Sequence, residues 1–258
     1  MNVRPLPAQR RHTLYLQEQL RAFSPVFLDT EVDMSAVRAH RAAGGRRIST
    51  VTHVLHAAAR VLAAHPDANA ALSGRVSPRI ARFSTVSGKL TLDKTLAGQR
   101  VVLAAVLPDL DRLELGEIQA LVERHRDADP ETDPAFAKLR ALHRVPPVVG
   151  RLLFRLAGRS LAERPAMAGT FAVTSLGHRP VHGFHSVGGT TITFGVGQVT
   201  DRPVVRDGAV VVAPVLRLNL TFDHRVLDGA EAADVLTEVK DRLEKVPDAA
   251  TWPGAVTA

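Results

Sequence analysis

The chain has 258 residues, 45% of them hydrophobic, no cysteine, and a formal net charge of +7. That length and apolar content are enough for one sizeable core, and residues 1–258 read as one domain. The absence of cysteine excludes a disulfide framework and a thiol nucleophile. The positive field favours anionic partners, but with 4% aromatic residues and no nucleic-acid motif, nucleic acid is not expected among them.

In chain order, the pattern predicts a basic helix around residues 10–20 and a strand over 27–32. A helix over 51–65 leads to Pro66-Asp67-Ala68-Asn69-Ala70, and a strand follows over 101–107. Pro146-Pro147 and Pro165 bracket a segment that reads as a separable insert or lid. Within it Arg151, Arg155 and Arg159 recur every four residues, which lines three guanidinium groups along one helix face. Such a stripe reads as solvated surface, with docking to coenzyme A phosphates, a carrier protein or a membrane surface as the alternative. Strands follow over 169–174, 190–196, 210–213 and 215–222, then a helix over 230–243 with its apolar residues at helical spacing. Residues 247–258 read as a frayed tail. Strands interleaved with helices predict an α/β sandwich. With no apolar run long enough to span a bilayer and no signal pattern in residues 1–19, the expectation is no membrane span and a cytoplasmic protein.

The chemistry concentrates at Asp223-His224-Arg225-Val226-Leu227-Asp228-Gly229, directly after the apolar strand. Histidine titrates nearest neutrality, so an imidazole held at a strand end can take a proton from a thiol or hydroxyl as that group attacks a carbonyl. Asp228 can orient the loop, and Gly229 lets the chain turn into the following helix. On these residues alone, a hydrogen-bonded loop histidine and a helix-terminal acid are the favoured reading. A second cluster, His178, His182 and His185, lies in a loop with Pro180 and Gly183, which offers no fixed tetrahedral geometry; no metal is expected.

The Asp-His-Arg-x-x-Asp-Gly run, Gly169-Thr170-Phe171-Ala172-Val173-Thr174-Ser175-Leu176-Gly177 and Phe194-Gly195-Val196-Gly197 together resemble the catalytic domain of 2-oxoacid dehydrogenase acyltransferases, relatives of chloramphenicol acetyltransferase. The resemblance implies the chloramphenicol acetyltransferase-like fold, a two-layer sandwich with a mixed β-sheet flanked by helices, and a coenzyme A thioester, acetyl-CoA or another acyl-CoA, as acyl donor. It implies His224 as general base, Thr174 as hydroxyl donor to the oxyanion, and Asp228 as a structural acid holding the histidine loop by an ion pair. Ser175, His182, His185 and Arg225 are the substrate-binding candidates. It also implies a homotrimer with the active site between subunits, and direct transfer with no acyl-enzyme.

No lipoyl domain precedes the match, and Asp93-Lys94-Thr95, though similar to a lipoylation triplet, lies inside it, so Lys94 reads as a surface lysine and no covalent lipoyl group is expected. At Ser186-Val187-Gly188-Gly189-Thr190 the chain departs from the family's Asn-Pro-Pro-Gln turn, and with it from the dihydrolipoyl acceptor and the cubic assembly. The resulting expectation is O-acetylation of a small-molecule or carrier-bound acceptor, similar to stand-alone family members of natural-product and tetronate pathways. The alternatives are a dihydrolipoyl acyltransferase with its lipoyl domain supplied in trans, and a non-catalytic scaffold.

Overall fold

A computed structural model describes residues 1, 3–43, 47–74 and 76–245. The elements in chain order are α1 (Arg11–Leu20), β1 (Pro25–Asp33), α2 (Ser35–Ala43), α3 (Thr50–Leu62), β2 (Ala70–Ser73), β3 (Arg79–Arg82), β4 (Gly88–Leu96) and β5 (Gln99–Leu107). They continue with α4 (Leu115–Asp127), α5 (Ala137–Arg144), α6 (Pro147–Ala157), α7 (Arg164–Ala168), β6 (Phe171–Ser175), β7 (Ile192–Val196), β8 (Thr200–Arg206), β9 (Ala209–Asp223) and α8 (Gly229–Glu244). The segment expected to be a frayed tail lies outside the described residues.

The main sheet runs β1-β9-β7-β6-β4-β5, with β8 paired to the first half of β9; β2 and β3 form a separate hairpin. The β4–β6 and β6–β7 pairings are parallel and the others antiparallel, giving the mixed sheet and α/β class expected from the sequence. Successive side chains of a strand point to opposite faces. One face carries Phe171 and Val173 of β6, Phe194 of β7, and Leu216, Leu218, Leu220 and Phe222 of β9, all fully buried. The apolar sides of α3 and α8 cover it. Phe171 and Phe194 meet edge to face with ring centres 6.4 Å apart, a contact worth about 0.5–1.5 kcal/mol beyond area burial.

Ser49 caps α3 by accepting from the Thr52 backbone N–H at 3.1 Å, and Gln119 of α4 accepts from the Ser49 N–H and the Thr52 hydroxyl. That polar clamp fixes α3 against α4 where apolar contact alone would let it slide.

The residues expected in two strands, 210–213 and 215–222, form one strand running through Pro214. Proline is tolerated because the nitrogen and carbonyl of a strand residue face the same neighbour. The Pro214 carbonyl accepts from Met34 N–H, one residue beyond the end of β1, so the missing N–H falls where that ladder has stopped. The bracketed segment is not free of the body: Tyr15 of α1 donates to the Pro147 carbonyl and packs on Phe154, and Arg151 pairs with Glu18 at 2.8 Å. The helix ends at Ala157 with Gly158 as its cap, so Arg159 lies beyond the expected stripe. Lys94 is half-buried and donates to the carbonyls of Arg126 and Ala128, closing the C-terminal end of α4. Among the described residues no helix is long and apolar enough to cross a membrane.

Candidate active site

His224 follows the last residue of β9. Its backbone N–H donates to the Ser24 carbonyl at 2.9 Å, beside the start of β1. The loop is pinned chiefly by Asp223, whose side chain is 6% exposed. Asp223 accepts from Arg225 Nε at 2.9 Å and Arg225 Nη2 at 2.6 Å, and from the N–H groups of Ser24 and Arg225. This charge-assisted fork, with the Arg225 guanidinium over the Phe23 ring, raises the guanidinium pKa above its ordinary value.

Asp228, expected to hold the loop, stands 3.7 Å from His224 Nδ1 and its side chain is 91% exposed. It starts α8, out in solvent, whereas Asp223 is still on the strand and buried; burial gives the ion pair of Asp223 its grip. The His224 side chain remains 46% exposed and touches the Phe222 ring.

Thr174 lies elsewhere. It pairs across the sheet with Gly195, and Gly195 pairs with Asn219. From Asn219 to Asp223 the strand covers about 13 Å, and two strand spacings add about 10 Å at right angles. Within one chain the Thr174 hydroxyl and the His224 imidazole therefore sit toward opposite ends of the sheet and cannot meet the same atom.

The Thr174 end is organised by close backbone contact. A Cβ on Gly195 would lie 2.2 Å from the Phe184 carbonyl oxygen, and one on Gly197 would lie 2.2 Å from that of His182. Only glycine lets the loop between β6 and β7 drape over β7 at these points. Asn219 ties it down, accepting from Phe184 N–H at 3.1 Å and lying 3.3 Å from His185 Nε2. His185 in turn meets Phe27 edge-on at 5.0 Å. Thr174 Oγ1 is buried with no hydrogen-bond partner, whereas Ser175 Oγ already accepts from Gly177 N–H at 3.3 Å. Ser175, His182 and His185 thus gather around the Thr174 end, and Arg225 belongs to the His224 end. Sequence reading did not single out Asp223 and Asn219 as anchors: they share the polar face of β9 with Arg217 and Thr221, and the alternation alone does not tell which polar side chains become buried. Among the described residues no three His, Asp or Glu side chains come together as metal ligands.

Residues 149–250 match the family model of the 2-oxoacid dehydrogenases acyltransferase catalytic domain. Over 49 residues the chain is 50% identical to the dihydrolipoyllysine-residue acetyltransferase component of the pyruvate dehydrogenase complex of Bacillus subtilis (strain 168). That match covers 19% of this chain and 11% of that protein, so the chain matches about a tenth of the length of this curated relative. The dihydrolipoamide acetyltransferase of Azotobacter vinelandii, studied for the role of a serine, a histidine and an asparagine in its catalytic mechanism, superposes with a TM-score of 0.74 at 20% identity, covering 95% of this chain and 92% of that one. A chloramphenicol acetyltransferase structure gives 0.51 at 16% identity, over 94% and 98%.

The architecture is therefore that of the chloramphenicol acetyltransferase-like acyltransferase cores. Within that architecture, residues 149–250 are similar to the catalytic domain of the 2-oxoacid dehydrogenases acyltransferase family.

Proposed function

We propose that the protein transfers an acyl group, acetyl in the first instance, from coenzyme A directly to a hydroxyl of a small-molecule or carrier-bound acceptor, at sites formed between copies of the chain in a trimer. His224 of one copy takes the acceptor proton as the oxygen attacks the thioester carbonyl. The Thr174 hydroxyl of the neighbouring copy donates to the resulting oxyanion. Collapse breaks the carbon–sulfur bond, and the proton held by His224 passes to the departing thiolate.

The observation that carries this reading is the strand register that separates Thr174 from His224 in one chain. A base and an oxyanion donor must both reach one carbonyl, which a head-to-tail ring of identical chains allows. The unpartnered Thr174 hydroxyl supports it further, since a buried donor without a partner costs about 1–3 kcal/mol unless a ligand satisfies it.

The test is complementation. His224→Ala should abolish thiol release from acetyl-CoA, and Thr174→Ala should lower turnover by about 100-fold, the usual loss of one oxyanion donor. Mixed trimers assembled from the two variants should regain about a quarter of wild-type activity, because one site in four then combines two intact halves. No recovery in verified mixed trimers, or a monomer by light scattering, overturns the shared site. The function named for the relatives supports a second reading, a dihydrolipoyl acceptor; thiol release driven by dihydrolipoamide and by no alcohol would select it.

A further inference from the structure

Helix α6 carries its apolar side outward. Its inner side meets α1, where the Phe154 ring lies 6.0 Å from that of Tyr15 and Arg151 pairs with Glu18. On the other side Val148, Val149, Leu152, Leu153 and Leu156 recur at helical spacing as one stripe, each between 44% and 74% exposed. Pro146 and Pro147 continue that surface at the start of the helix and are exposed as well. A helix on the outside of a fold normally turns such a stripe inward, and a contiguous apolar patch left in water marks an interaction surface.

The charge around the stripe has one sign. Between residues 137 and 168 the chain has seven Lys or Arg and one acid, Glu163. Arg140 and Arg164 turn back to main-chain carbonyls, and Arg151 is held by Glu18. Arg144 before the stripe, Arg155 along its edge and Arg159 beyond it are exposed.

These cations decide between the candidate occupants. A second copy docked face to face would set the same cations against one another. An acidic protein would answer the arginines, but the stripe is aliphatic throughout and lacks the aromatic anchors on which protein interfaces concentrate their energy. An anionic bilayer answers both halves: the acyl chains take the Val and Leu side chains, and the lipid phosphates take the guanidinium groups. With 11 residues α6 is about half as long as a spanning helix, so it fits along the surface.

We propose that α6 docks the protein on an anionic lipid bilayer. The helix lies flat, with its Val and Leu stripe in the boundary between headgroups and acyl chains and with Arg144, Arg155 and Arg159 on lipid phosphates. Docking of this kind goes beyond the acyltransferase reading and needs none of its steps.

The full chain is sedimented with phosphatidylglycerol vesicles and with phosphatidylcholine vesicles, at low and at raised salt. Two variants each remove half of the surface, Leu152→Gln/Leu156→Gln and Arg155→Gln/Arg159→Gln, and Val212→Gln removes an exposed apolar side chain of β9 as the control. The wild type should partition onto phosphatidylglycerol by on the order of tenfold over phosphatidylcholine, and salt should weaken that preference. The leucine variant and the arginine variant should each lose on the order of tenfold in partition onto phosphatidylglycerol, and Val212→Gln should bind as the wild type does. Since all these side chains are exposed, melting temperatures and the mass by light scattering should stay at the wild-type values.

Wild type left in the supernatant with phosphatidylglycerol overturns the proposal, as does vesicle binding that both α6 variants retain. A lower mass for the leucine variant reassigns the stripe to a contact between copies. Retention on immobilised polyglutamate that survives in the leucine variant, without sedimentation on vesicles, reassigns the arginines to an acidic polypeptide. Either reassignment overturns the lipid surface.

Discussion

The two ends of the central sheet hold their candidate reactive groups by different physics. At the His224 end a buried carboxylate, Asp223, grips Arg225 and the Ser24 backbone, so position is set by charge. At the Thr174 end the loop rests on Gly195 and Gly197 and is tied by the neutral amide of Asn219, and the ion pair beneath it, Arg217 with Asp29, is solvent-exposed on both sides. One half-site is therefore sensitive to charge and the other to volume.

The largest effect that sharpens this contrast should come from Gly195→Ala. The added methyl must displace the Phe184 carbonyl, lifting the loop off β7 and uncovering Thr174. Turnover should fall by about 100-fold, as for loss of the oxyanion donor itself, while the His224 end is undisturbed. Chains of this variant should still complement His224→Ala chains, supplying the intact His224 while their partners supply Thr174. A Gly195→Ala protein with wild-type turnover would break the contrast.

Asp223→Asn should do the reverse. It keeps the shape, removes the charge and leaves Arg225 without its counter-ion; since the Arg225 side chain is 36% exposed and can rehydrate, the loss is smaller than for a fully buried pair. The variant should melt below the wild type while Thr174-side complementation survives. An unchanged melting temperature would show that the pair does not fix the loop.

The smallest effect separates both ends from the rest of the scaffold. Burial holds His53 down to about 3 and His56 and His143 down to about 4, against an ordinary value of 6.5. The unfolded chain takes up these protons near 6.5 and the folded one resists them. Stability should thus be full above about 6.5 and be lost progressively as pH falls toward 4. His143, which meets His12 at 3.1 Å to join α5 to α1, contributes to that slope. In thermal melts across this range His143→Gln should show a shallower acid loss than the wild type; an identical slope would remove His143 from the account.

Much of the fold was legible because it rests on local pattern. The apolar run of 215–222 and the helical spacing of 230–243 each announce an element with one buried side. β8 was missed for the opposite reason: it is an edge strand with no buried residue and carries Pro203, so it has no apolar face to read. β4 alternates Leu90 and Leu92 inward, but its Asp93-Lys94-Thr95 triplet drew notice as a motif when its role is to reach α4. At the candidate site, the motif residues were legible through resemblance. Their separation was not, because it depends on which strands pair: β6 joins β7 in parallel, and β7 passes over β8 to join β9.

The loop over β7 makes its closest approaches to the sheet through its own main chain, at the carbonyls of His182 and Phe184. A clasp of that kind is indifferent to what the clasped segment carries at several of its positions. Side chains along it can be exchanged without recutting the strand beneath, as a tool handle takes new blades.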